Sequence, residues 1–101
     1  MRLIDIQPRA EHDLFEQWSY INTDNPEAAD RFTLSARDTL RMLAELPNIG
    51  SVYTSSASEL SALRKVPIRG FEQHLIFYTL GKNDVKIIRV LHAKRDIENL
   101  L

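Results

Sequence analysis

Arg64, Arg69, His74, Tyr78, Arg89 and His92 are the side chains of this sequence best suited to moving a proton or holding an anion. The last of them opens a cationic knot. In RVLHAKRDI, residues 89–97, Val90 and Leu91 run into His92, and Lys94 and Arg95 follow at once. Each residue has a structural reading beside the chemical one. His74 and His92 can be scaffold histidines held by hydrogen bonds, or groups that exchange protons. Tyr78 reads most simply as a half-buried strand residue. Arg89 stands inside a nearly continuous apolar run, where an unpaired guanidinium is costly. It must pair with an acid or point out of the sheet at a partner.

Other chemistries lack their signatures. Glycines at 50, 70 and 81 form no phosphate-cradling loop. His12, His74 and His92 are too far apart for a metal motif, so no metal or cofactor is expected. The serines of residues 51–61 lack the strand–turn–helix setting of an activated nucleophile.

The elements that must position these residues follow from periodicity. MRLIDIQ reads as a short strand stopped by Pro8. A helix follows, with Leu14, Trp18 and Ile21 at helical spacing and Phe15 beside Leu14 on the same core stripe. NTDNPEAA breaks it, and Asn25, Pro26 and Glu27 read as N-cap, first helical position and acidic first turn of a second helix. Ala29, Phe32, Ala36, Leu40 and Leu43 line its buried face, with Asp30, Arg37, Asp38, Arg41 and Glu45 opposite. Pro47 and Gly50 end it. SVYTSSASE reads as a loop. LSALRKVPI, QHLIFYTL and DVKIIRVLH then read as strands joined by the turns IRGF and GKND. Residues 94–101 suit a short helix with Ile97, Leu100 and Leu101 on one side. The expected fold is α+β, in the order β-α-α-β-β-β. An antiparallel sheet carries the helical hairpin on one face, and the other face is at least partly open. Along DVKIIRVLH, alternation puts Arg89 with Val85, Ile87 and Leu91, and puts Lys86, Ile88, Val90 and His92 opposite. Arg89 and His92 then share a face only if a bulge intervenes.

The 101 residues, 44% hydrophobic and 27% charged, suit a single folded domain over 1–101. Cysteine is absent, so stability cannot rest on disulfides and a reducing compartment fits. The first residues are too polar for a signal peptide, and no apolar run approaches the roughly 20 residues of a membrane span. A soluble cytoplasmic protein is expected. The net charge of -1 hides a split: residues 61–95 carry eight Lys and Arg against two acids, and the remainder is strongly acidic. That basic part suits an acidic partner, or is a sheet edge guarded by lysines.

Four stretches, NPEAADRF, LAELPNIG, LRKVPIRGFEQHLIFY and IIRVLHAKRDIENLL, together resemble the ParE branch of the ParE/RelE toxin superfamily of bacterial type II toxin–antitoxin modules. The resemblance covers nearly the whole chain. It implies the same βααβββ fold, and a small cognate antitoxin whose C-terminal segment wraps and neutralises the toxin in a hetero-oligomeric complex. The superfamily has two activities. ParE-like members inhibit DNA gyrase, and RelE-like members cut messenger RNA on the ribosome. For an RNase, Arg64, His74, Arg89 and His92 would be the catalytic candidates. The tyrosine that RelE-like enzymes carry near this position does not follow His92, and the VLHxxRD ending resembles ParE-like members. Gyrase inhibition is therefore the expected function, with Arg89, His92, Lys94 and Arg95 as the target-binding residues. A non-toxic relative that only binds its antitoxin is a further alternative.

Overall fold

The structure, a computed structural model, describes residues 1–54 and 62–101. The order is β1 (Leu3–Ile6), α1 (Pro8–Asp24), α2 (Pro26–Glu45), β2 (Ser51–Val52), β3 (Arg64–Ile68), β4 (Phe71–Leu80), β5 (Asp84–His92) and α3 (Ile97–Leu100). No helix among the described residues is long and apolar enough to cross a membrane.

Local chemistry explains the helical hairpin. Pro8 and Pro26 occupy first-turn positions, where their missing N–H is no loss. Asn25 is the whole joint: its N–H closes α1 on the Ile21 carbonyl, and its side chain accepts the Ala28 N–H at 3.1 Å to open α2. α2 buries the expected Ala29, Phe32, Ala36 and Leu43, and adds Thr39 and Ala44. On α1, Phe15 departs from expectation. It is 63% exposed and stacks on Trp18 instead of entering the core. A helix turns about 100° per residue, so the face that buries Ala10 and Asp13 turns Phe15 outward.

Among the described residues the sheet has five strands in the order β1-β5-β4-β3-β2. Strands β2 to β5 pair antiparallel, while β1 runs parallel to β5. The sheet is therefore mixed, not wholly antiparallel. The helical hairpin separates β1 from the meander, so no hairpin turn imposes an antiparallel partner on it. β2 is an added strand, from residues expected to be loop. Residues 55–61, which include the other serines of that loop and the start of the expected LSALRKVPI strand, lie outside the described residues, while Ser51 opens β2. Gly70, at φ +84, supplies the left-handed position in the β3–β4 turn.

A bulge sits in β5. Phe77 opposes Arg89 and Tyr78 opposes Ile87, so Ile88 is the extra residue. It overturns the simple alternation. Ile87 and Val90 both belong to the core under the helices, with Phe32, Leu43, Ile76 and Tyr78. Ile88 and Leu91 belong to a second cluster on the far face, with Leu63, Leu75 and Phe77. That face is covered in part: Ile97, Leu100 and Leu101 of the C-terminal segment pack on it.

Candidate functional site

Beyond Ile6, β1 stops, and no strand among the described residues lies beside the edge of β5. Gln7 makes the last such bond, donating its N–H to the Ile87 carbonyl at 3.0 Å. Helix α1 then takes over. Asp13 accepts the Val90 N–H at 3.0 Å, and the Gln17 amide donates to the Val90 carbonyl at 2.7 Å. These residues lie one turn apart, so one helix face satisfies both backbone groups of Val90.

Asp13 does more. Its carboxylate accepts Arg89 Nε at 2.7 Å and Nη2 at 2.9 Å, a two-pronged ion pair. Both residues are buried, Asp13 at 5% and Arg89 at 8% exposure. The hydrogen bond to Asp13 raises the Arg89 pKa above its ordinary value. Nη1 of Arg89 reaches the Leu100 carbonyl at 2.5 Å. Arg89 thus ties α1, β5 and the C-terminal segment together, and resolves its dilemma by pairing with an acid.

His74 and His92 face each other across β4 and β5. The neighbouring Ala93 N–H bonds to the Gln73 carbonyl, so the histidines form a non-hydrogen-bonded cross-strand pair, whose side chains approach closely. Their ring centroids are 5.0 Å apart. His74 Nδ1 lies 2.9 Å from Gln17 Oε1, and Phe32 and Phe71 pack on its ring. Burial, and then the proximity of His92, lower the His74 pKa from the usual histidine value. His92 Nδ1 accepts the Lys94 N–H at 3.1 Å, which shapes the turn that presents Lys94 and Arg95.

A cavity of about 540 Å³ joins these groups. It is lined by Asp13, Glu16, Gln17 and Tyr20 of α1 and by His74, Arg89, Leu91, His92, Lys94 and Arg95. Five of the residues singled out in the sequence therefore line one cavity, although Arg89 and His92 stay on opposite faces of β5: the bulge precedes both, and Arg89 joins the cavity at the strand's edge, where Asp13 holds it. Arg64 is not among them. It donates to the carbonyls of Asn48 at 3.2 Å and Gly50 at 2.7 Å. Tyr78 works beside it and is fully buried, not half-buried: its hydroxyl donates to the Pro47 carbonyl and accepts the Gly50 N–H. Both clamp the chain after α2. The α1 residues were missed. Asp13 and Gln17 continue the spacing from Ala10 along the helix side that faces β5, and an acid on that line could have been matched to the arginine that needed one.

A second concavity, about 430 Å³, lies between the helices over β1. Ile4, Ile6, Leu14, Trp18, Phe32 and Leu40 line it, with Arg37 at its margin. Among the described residues no cluster of three or more His, Cys, Asp or Glu could hold a metal ion.

The family model described as ParE toxin of type II toxin–antitoxin system, parDE, matches residues 4–97. No curated protein matches the sequence. Among solved structures, a chain of the chromosomal ParDE TA system from P. aeruginosa superposes with a TM-score of 0.73 at 15% identity, over 91% of this chain and 96% of that one. A chain of the YoeB–YefM complex from Staphylococcus aureus gives 0.52 at 20% identity, over 91% and 98%. The YoeB dimer from the same organism gives 0.52 at 20% identity, over 88% and 94%. At these identities the structures are similar in fold.

Proposed function

The chain belongs to the ParE toxin family of type II toxin–antitoxin systems, and from that premise we propose that it inhibits DNA gyrase, blocks replication and is neutralised by a cognate antitoxin. The observation that carries this reading is the commitment of the sheet's arginines. An RNase needs cations free for the scissile phosphate, with a proton acceptor and donor placed around it. Arg64 is held by the carbonyls of Asn48 and Gly50, and Arg89 by Asp13 and Leu100. Of the cations that line the cavity, the exposed Lys94 and Arg95 remain, at the end of the strand, where cations serve recognition of an acidic surface. The gyrase contact is formed by His92, Lys94 and Arg95, with Arg89 beneath them as the strut.

Purified toxin in a gyrase supercoiling assay, with cleavage of ribosome-bound message run in parallel, tests this. Loss of supercoiling or accumulation of cleaved DNA with intact message is the expected result. Cut message with normal supercoiling would overturn it. Arg95→Ala should keep the fold and lose growth inhibition; a folded, fully toxic variant would remove Arg95 from the contact. Message cleavage remains the second reading, favoured by the meeting of His74, Arg89 and His92 in one cavity.

The antitoxin is assigned to the other concavity. Its lining is apolar apart from Thr33 and Arg37, and β1 closes the sheet beside it. An amphipathic helix fits such a groove, and an extended segment can add to the free edge.

A further inference from the structure

We propose that the cavity between α1 and the end of β5 binds a segment of single-stranded nucleic acid, with one base stacked on Tyr20 and the flanking phosphates on His92, Lys94 and Arg95. The proposal goes beyond gyrase inhibition, although it shares part of the same surface.

Tyr20 is the first reason. It is 79% exposed, so it does little for the core, yet it lines the cavity beside the cations. A flat aromatic face next to cations is how proteins hold single strands without reading sequence. Charge is the second. Asp13 and Arg89 neutralise one another at the base of the cavity. Lys94 and Arg95 are exposed at its rim, and their side chains have no partner among the described residues. Glu16 is the remaining acid, and it lies 3.5 Å from His12. The rim therefore keeps an excess of positive charge.

The histidines supply complementary polarity. Nδ1 of His92 accepts the Lys94 N–H, so the neutral ring carries its proton on Nε2, a donor suited to a phosphate oxygen. Nδ1 of His74 donates to Gln17 Oε1, which leaves Nε2 as an acceptor for a base amino group or sugar hydroxyl. A volume of about 540 Å³ is in the range of small-molecule sites and accommodates one nucleotide.

The test is fluorescence anisotropy of a short labelled oligothymidylate with purified toxin, titrated at several salt concentrations. Two phosphate contacts predict a log–log salt slope of about −1.4. Tyr20→Ala should weaken binding about tenfold, while Tyr20→Phe, which keeps the ring, should not. Lys94→Ala with Arg95→Ala should weaken binding and flatten the slope, and Lys82→Ala in the distant β4–β5 turn should do neither. Circular dichroism confirms that each variant is folded. An RNA strand of equal length distinguishes the source of the phosphodiester, and tighter binding of either strand is consistent with the proposal. Binding without salt dependence, variants that match the parent, or a polyglutamate peptide that competes as well as the strand would each overturn it. A toxin that inhibits gyrase but leaves the strand unbound sinks this inference alone. One that binds the strand and leaves gyrase active sinks the gyrase reading alone.

Discussion

Removing either partner of the Asp13–Arg89 pair leaves a charge buried without its counterion. Asp13→Asn or Arg89→Met should therefore lower stability by about 3–5 kcal/mol, read from the midpoint of urea unfolding. The double change Asp13→Leu with Arg89→Met should recover part of the loss, since no charge is then stranded; a double variant as weak as the sum of the singles would show that the Val90 and Leu100 bonds matter more than the charge. His74 gives the second prediction at this scale. Its pKa is lowered in the folded protein, so around neutrality the unfolded chain takes up a proton that the folded chain refuses. The uptake favours unfolding as pH falls. Stability should drop below pH ~6.5 and continue to drop until the folded ring also protonates. Urea midpoints across this range should show the slope, and His74→Gln should flatten it.

At the scale of elements, the segment after α2 and the tail after β5 are each held by a few contacts. A Cβ on Gly50 would run into the Tyr78 hydroxyl and stand 2.8 Å from the Lys65 carbonyl. Gly50→Ala should therefore push β2 from β3 or displace Tyr78. Tyr78→Phe keeps the ring and strands the Gly50 N–H and Pro47 carbonyl, for a loss of about 1–3 kcal/mol. Thermal unfolding of the two variants separates the steric cause from the polar one. Ending the chain at Asp96 removes Ile97, Leu100 and Leu101 from the far face of the sheet. The cost should be roughly 2–3 kcal/mol, with increased binding of a hydrophobic dye. Unchanged dye binding would mean that the cluster around Phe77 and Leu91 stays covered without α3.

The whole molecule divides its surfaces among its proposed partners. The apolar groove and the β1 edge lie on the helical side, and the basic rim lies at the end of β5. α1 serves both: Leu14 and Trp18 line the groove, while Asp13 and Gln17 hold the strand end. Phe15, stacked on Trp18 beside that groove, and Leu3 on β1 are left exposed, at 63% and 74%. Alone the toxin should be poorly soluble, because such patches associate. Co-expression with the antitoxin should raise the soluble yield, and equal yields with and without it would argue against the groove as the docking site.

Much of this was determined by the sequence alone, because its causes are local. The Asn25–Pro26–Glu27 cap and the Ala29–Leu43 stripe set α2. The apolar run and its GKND turn set β5 at residues 84–92, as observed. The need of Arg89 for an acid was equally legible. Which acid was not: Asp13 lies 76 residues away in the chain. The bulge at Ile88, which turns both Ile87 and Val90 into the core under the helices, exists only in the register between β4 and β5. The parallel pairing of β1 depends on the path around the hairpin. Periodicity and capping act over a turn or two of helix or along one strand. Register, bulges and ion pairs arise between residues that only the folded chain brings together, and they decided where the site is.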